Sequence, residues 1–242
     1  MRSLEMRPDC RALQTSALLQ LLDIVCDRTE DGLPERRNAI SLQWDILVQE
    51  TDFDCYLSHV FPMWRQRLWW KVFNPLLQHI RSDKGKPSAS SLLCACSVIA
   101  TAGESPLVND IASYFEIILS AVTRAQSKLP LEDEALQLPL KCGAISALRA
   151  LLQLNNGVAT VSSQLSIVIP FLLEESSNVS HKAKTKAMAL DCLLLLINLP
   201  YSSIFPLKAQ VIRVLGRVVD DPKRATRQLA ARVRNEWITL NN

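Results

Sequence analysis

An all-helical repeat solenoid is the fold this sequence predicts, and three observations predict it. A block of small and apolar residues recurs. Lys186-Ala187-Met188-Ala189-Leu190-Asp191-Cys192-Leu193-Leu194-Leu195-Leu196-Ile197-Asn198-Leu199 aligns with Lys141-Cys142-Gly143-Ala144-Ile145-Ser146-Ala147-Leu148-Arg149-Ala150-Leu151-Leu152-Gln153-Leu154, at an offset of about 45 residues, which is the period of HEAT repeats. A step back reaches Ser91-Leu92-Leu93-Cys94-Ala95-Cys96-Ser97-Val98-Ile99-Ala100. A step forward reaches Arg227, Ala230, Val233 and Trp237, with Lys184 and Ala187 about 43 residues before Arg227 and Ala230. Second, glycine is scarce at 6 residues and no alternating strand pattern runs beyond a few positions, so little is left from which to build a sheet. Third, apolar residues fall at helical spacing along nearly the whole chain. A lone helical hairpin cannot bury its apolar face, so at least about three must stack. The 242 residues are therefore expected to form one HEAT-repeat, armadillo-like, right-handed superhelical solenoid over residues 1–242, with ten or eleven helices and basic terminal repeats over 180–242.

Each element follows from its own residues. Pro8 to Asp27 sets Leu13, Ala17, Leu21 and Ile24 on one side of a helix, and Arg28 to Gly32 turns the chain. Pro34 to Gln49 carries Ile40, Trp44 and Val48. Asp52 or Asp54 is placed to cap a third helix leading into Cys55-Tyr56-Leu57, and Pro62 and Pro75 are expected to kink or divide the next helical region. Arg81 to Ser88, with Gly85 and Pro87, reads as a polar loop. Ala89 to Ala102 is the helix of the first clear repeat, closed by Gly103 and Pro106, and Leu107 to Ala125 follows with Ile111, Phe115, Ile118 and Val122. Gln126 to Glu134 is the longest polar connection and the expected site of mobility. Leu136 to Leu154 and Val158 to Leu173 are the next helices.

From Ser180 to Leu199, Ala183, Ala187, Leu190, Leu194 and Ile197 share a helical face, and Leu193 to Leu196 then point in four directions. Such a helix must be covered on more than one side. Pro200 ends it. Ser202 to Val219, with Ile204, Leu207, Val211, Leu215 and Val218 opposite Gln210, Arg213 and Arg217, reads as its hairpin partner. Asp220-Asp221-Pro222 opens the last helix, because an acid caps free N–H groups and proline suits a first turn.

Charge is the feature that singles out a surface. Residues 181–242 hold 11 Lys or Arg against 4 Asp or Glu, a balance of +7, while residues 1–180 hold 16 against 20, a balance of −4. On the last helix, turning Thr226, Leu229, Ala230, Val233, Trp237 and Leu240 inward gathers Arg224, Arg227 and Arg234 on one flank. With Lys184 in the column of Arg227, they form a docking strip for an acidic partner surface, against the plainer reading of a solvated face on a terminal repeat. Direct nucleic-acid binding is disfavoured by the small net charge of +3 and the lack of exposed stacking aromatics. The cluster Trp64-Arg65-Gln66-Arg67-Leu68-Trp69-Trp70-Lys71 reads as core packing with snorkelling cations. Adjacent Trp69 and Trp70 cannot both face one core, which leaves one for a neighbouring hairpin or a partner.

Catalytic and metal chemistry find no recognisable spacing. His59, His79 and His181 are far apart, and Cys94 and Cys96 on one helix point about 200° apart, so no metal or cofactor site and no enzymatic activity are expected. Seven scattered cysteines, odd in number and set in apolar stretches, imply no disulfide framework. The longest uninterrupted apolar run is Cys192 to Ile197, far short of the ~20 residues that span a bilayer. With neither a signal nor a transit pattern at Met1 to Asp9, a soluble intracellular protein with no membrane association is expected.

Leu199-Pro200, Pro206-Leu207-Lys208, Gln210-Val211-Ile212-Arg213, Asp220-Asp221-Pro222-Lys223-Arg224, Arg227 and Glu236-Trp237 resemble the C-terminal end of the methyl-methanesulfonate-sensitivity protein nineteen family. Arg65-Gln66-Arg67, Trp69-Trp70 and Pro75-Leu76-Leu77 carry the same resemblance, which covers roughly residues 57–240 and is strongest in the last 45. The ordered Asp-Asp, Lys-Arg and Glu-Trp groups are not shared by HEAT repeats at large. Ala225-Thr226 is less apolar than the family pattern. The resemblance implies a HEAT-repeat scaffold of the cytosolic iron–sulfur assembly targeting complex, which delivers clusters to DNA repair, replication and helicase apoproteins. Its C-terminal repeats would hold a small acidic-type assembly subunit and a WD-repeat propeller, with clients bound through the longer N-terminal part. It also implies action in cytoplasm and nucleus with a link to the spindle, no cluster of its own, and a chain that is the C-terminal fragment of a longer protein. The competing reading is a HEAT adaptor of another pathway, such as transport or phosphatase scaffolding.

Overall fold

The computed structural model describes residues 8–26, 34–49, 69–82, 87–101 and 110–240. Ten α-helices run through them: α1 Pro8–Cys26, α2 Pro34–Gln49, α3 Asn74–Ser82, α4 Ala89–Thr101, α5 Ile111–Gln126, α6 Gln137–Leu152, α7 Gly157–Ser177, α8 Ala183–Leu195, α9 Tyr201–Val218 and α10 Arg224–Thr239. No strand occurs among the described residues. The expected Arg28 to Gly32 turn, the Asp52 or Asp54 cap, Pro62, and the Gly103 and Pro106 closure lie outside them.

Two layers result. The even-numbered helices α2, α4, α6, α8 and α10 pack successively side by side, while α5, α7 and α9 form the second layer. Buried apolar residues from α1 to α10 make one connected core. The sequence pairs Ser180–Leu199 with Ser202–Val219, but the structure pairs differently. α8 lies against α7, α6 and α10, and α9 against α7 and α10, so the hairpins are α7–α8 and α9–α10. The cause is the connector after α8, where a 3₁₀ turn at Leu196–Asn198 and then Pro200 step the chain across to the next hairpin.

Tight stacking of the even layer rests on small side chains. Every residue of α4 from Ala89 to Ile99 is buried, because α2, α5 and α6 cover it from three sides. Alanines, serines and cysteines keep that layer thin. Opposite them, a Cβ at Gly143 would stand 3.1 Å from Leu93 Cδ1. Cys94, Cys96 and Cys192 are fully buried, as small apolar residues should be.

Helix phases were legible only in part. α9 buries Ile204, Val211, Leu215 and Val218, and α10 buries Thr226, Ala230, Val233 and Trp237, as their spacing predicts. In α1, however, Ala17 is exposed while Leu22 and Val25 are buried. In α8 the buried set is Thr185, Lys186, Ala189, Leu190, Cys192 and Leu193, rotated from the Ala183–Ala187–Leu194 face expected. Both helices are so evenly apolar that periodicity does not fix their phase.

Connectors carry the polar work. At Pro75 the described helix is continuous but changes type, a π-helical segment Trp69–Phe73 running directly into α3, which starts one residue before the proline. The Gln126–Glu134 connection is held in place rather than loose. Leu131–Leu136 forms a 3₁₀ helix, Leu129 and Leu136 are buried, Gln137 Nε2 donates to the Ala125 carbonyl at 3.1 Å, and Asn38 Nδ2 donates to Asp133 at 3.3 Å. Two stretches, Asp133–Leu152 and Gly157–Ser177, are long and apolar enough to cross a membrane by length and composition, and both lie packed within the stack.

Candidate functional site

The repeat alignment sets Lys141 over Lys186, two lysines that each open a small and apolar block. Both are drawn inward. Lys186 Nζ meets Asp221 Oδ2 at 2.6 Å, with the two side chains 7% and 6% exposed. Lys141 Nζ meets Glu175 at 2.6 Å, and Glu175 is completely buried and also bonded to buried His181. Glu175 and Asp221 stand 46 residues apart, so each lysine joins its helix to the connector region of the repeat that follows. This ladder is missed in the sequence, where His181 is set aside as far from the other histidines, Glu175 is given no role and Asp220-Asp221 reads as a cap. The matched lysines were the signal that could have revealed it, since a buried lysine requires a carboxylate partner.

Asp221 does not cap α10 directly. Its Oδ1 accepts from the Lys223 N–H at 2.8 Å, and α10 begins a residue later. Burial opposes its ionisation, but the hydrogen bond from Lys186, the Lys223 N–H and the charges of Lys186 and Arg227 outweigh it, leaving its pKa below the usual carboxylate value. Burial pushes the Cys192 thiol far up, so it stays protonated and unreactive.

The predicted arginine flank separates into different roles. Arg224 is exposed. Arg227 turns onto the connector and donates from Nη1 to the Asp221 and Pro222 carbonyls at 2.9 and 3.0 Å. Arg234 lies across α9, where a carbon added at Gly216 would stand 3.9 Å from its Nε. Arg227 therefore ties down the connector of the α9–α10 hairpin, while Arg234 is half-buried against α9. Lys184 is exposed on the first turn of α8, at the same end of the stack as Arg224, because the Lys186–Asp221 pair joins that turn to the connector before α10. Trp70 is 55% exposed, but its segment packs on α1, α3 and α4 at the other end of the stack. The Trp69 side chain lies outside what the structure describes, as do residues 64–68.

What remains is a cationic edge. Asp191 is engaged by Arg149 at 3.2 Å and Asp221 by Lys186. Lys182, Lys184, Arg217, Lys223 and Arg224 are exposed and make no ion pair among the described residues. Asp220 is the exposed acid beside them. No group of three or more potential metal ligands occurs among the described residues. One groove of about 570 Å³ opens on the opposite edge between Leu152–Asn155, Val158, Leu195, Asn198 and Ser203, and its lining carries no charge.

Stacked helical hairpins with equivalent positions every 45 or so residues, locked by a recurring lysine–carboxylate pair, define a HEAT-type helical solenoid, a class that presents surfaces to other macromolecules. No family model matches the chain. It is similar to the MMS19 nucleotide excision repair protein homolog of Xenopus laevis, 29% identical over 180 residues, covering 74% of this chain and 16% of that protein. The protein of the same name from Dictyostelium discoideum is 26% identical over 83% of this chain. The DNA repair/transcription protein mms19 of Schizosaccharomyces pombe is 25% identical over 72%. The chain belongs to the MMS19 family. It spans about a sixth of the length of these relatives.

Proposed function

We propose that this chain is a non-catalytic scaffold segment serving DNA repair and transcription, acting within the cytosolic iron–sulfur assembly targeting complex as one stretch of a longer adaptor. Its partners are the small iron–sulfur assembly subunit and the WD-repeat propeller, and its sites of action are cytoplasm and nucleus. Relatives named as nucleotide excision repair and DNA repair/transcription proteins support the first half of this reading. The observation that carries the second half is the cationic C-terminal edge, where internal pairing consumes Asp191 and Asp221 and leaves the exposed lysines and arginines for a partner. A rigid stack with unbalanced charge at one end suits docking, since complementary potentials steer encounter and fix register.

Co-purification tests the reading. The tagged 242-residue chain is expected to retain both assembly subunits at physiological salt and to release them as salt rises, because surface charges are screened. Failure to retain either subunit while holding transport or phosphatase components would replace it with an adaptor of another pathway.

A further inference from the structure

Lys182 and Lys223 occupy the same position in successive repeats, each the residue that opens an even-layer helix, and neither makes a side-chain cap. A cation there opposes the helix dipole, and serine, threonine, asparagine or aspartate would serve the helix better. Lysine at both places therefore does nothing for its own helix. Lys184 and Arg224 add exposed cations in the first turns of α8 and α10, and Arg217 closes the row from the end of α9. The groups share one edge because Lys186 in the first turn of α8 and Asp221 just before α10 are bonded at 2.6 Å, and Asp221 holds the Lys223 N–H. Beside Lys182 stands Val179, 90% exposed in the connector that leads into α8.

We propose that this edge, formed by Val179, Lys182, Lys184, Arg217, Lys223 and Arg224, binds an extended acidic segment of a partner protein in which carboxylates flank an apolar residue. The inference rests on the docking role proposed above and names its surface and the chemistry of its occupant. Charge complementarity asks for an anion. Val179 decides between protein and nucleic acid, because a phosphate backbone gains nothing from an exposed valine, whereas an apolar side chain between two acids covers it. The α10 flank built on Arg227 and Arg234 is not the surface, since Arg227 is bonded to the connector carbonyls and Arg234 is half-buried against α9.

The test uses the full 242-residue chain and two labelled probes, a synthetic peptide alternating Glu with Leu and an oligo-dT of matched charge, with the assembly subunits measured in parallel. Reversing Lys182→Glu, Lys184→Glu, Lys223→Glu and Arg224→Glu together is expected to weaken peptide binding at least tenfold. Reversing Arg36→Glu and Lys71→Glu, exposed cations at the other end of the stack, should change it less than twofold. Val179→Ser should weaken peptide but not oligo-dT binding. If the quadruple variant fails to melt cooperatively, the four Gln replacements provide the same comparison. Unchanged peptide affinity in the edge variants, or oligo-dT binding as tight as the peptide, overturns the inference. Wild-type chain that binds the peptide at the edge but ignores the assembly subunits overturns the docking role instead. Subunits that bind wild type and edge variant alike overturn the edge and leave the role standing.

Discussion

Trp237 is completely buried, and its indole N–H donates to the Leu193 carbonyl of α8 at 3.0 Å. Its place in the terminal core could be read from the spacing of Leu229, Val233 and Trp237; the polar contact could not, because nothing local in the sequence says which carbonyl of a neighbouring helix it will meet. Trp237→Ala is expected to cost about 3–5 kcal/mol. Trp237→Phe, which keeps most of the volume and loses the N–H, should cost about 1–3 kcal/mol, with denaturant melts separating the two. Gly157 was wholly illegible. A Cβ there would stand 1.8 Å from the Leu151 carbonyl oxygen, where the chain folds back from α6 into α7, and only the folded backbone reveals that approach. Gly157→Ala should therefore destabilise by about 3 kcal/mol, the upper range for overpacking.

Elements were legible where their apolar and polar faces differ, as in α9 and α10, and illegible where they do not, as in α1 and α8. The terminal connector of the ladder carries its own prediction. A carboxylate whose pKa is lower in the folded than in the unfolded chain adds stability above its unfolded value of about 3.9 and loses that contribution as pH falls towards its folded value. Asp221 is such a group, so α8 and α10 should loosen together below about pH 4. Asp221→Asn leaves Lys186 buried without its counter-charge. It should cost about 3 kcal/mol at neutral pH and abolish that acid step, as followed by Trp237 fluorescence. The Arg224, Arg227 and Arg234 flank changes meaning at this scale as well. Arg227→Glu should lower the melting temperature, because it removes two bonds to the connector, whereas Arg224→Glu should leave it within about 0.5 kcal/mol of wild type.

Across the whole molecule, the repeat period, the two-layer stack and the cationic end followed from composition and alignment. The identity of the hairpins did not, since a connector of three residues in a 3₁₀ turn and a proline decide which neighbour a helix meets. In a quasi-one-dimensional stack, each repeat is stabilised by its own packing and by its interfaces with the next. Hydrogen exchange on Trp237→Ala should therefore show lost protection in α8 to α10 with α4 to α6 little changed. Uniform loss throughout would indicate a single cooperative core.

The lysine ladder bears on how the chain can be shortened. Repeat proteins are commonly trimmed a unit at a time, on the expectation that the remaining units stand as before. Here the carboxylate that neutralises Lys186 belongs to the segment after it, at Asp221, as that for Lys141 does at Glu175. A chain ended at Leu199, between the α7–α8 and α9–α10 hairpins, would retain the cation in its pocket and discard the anion, so the new terminus would have to expel a lysine from the interior or open to let water in. The convenient cut sites thus lie elsewhere than the repeat boundaries, and a shortened version keeps its shape only if the stranded lysine is replaced by an apolar residue at the same time.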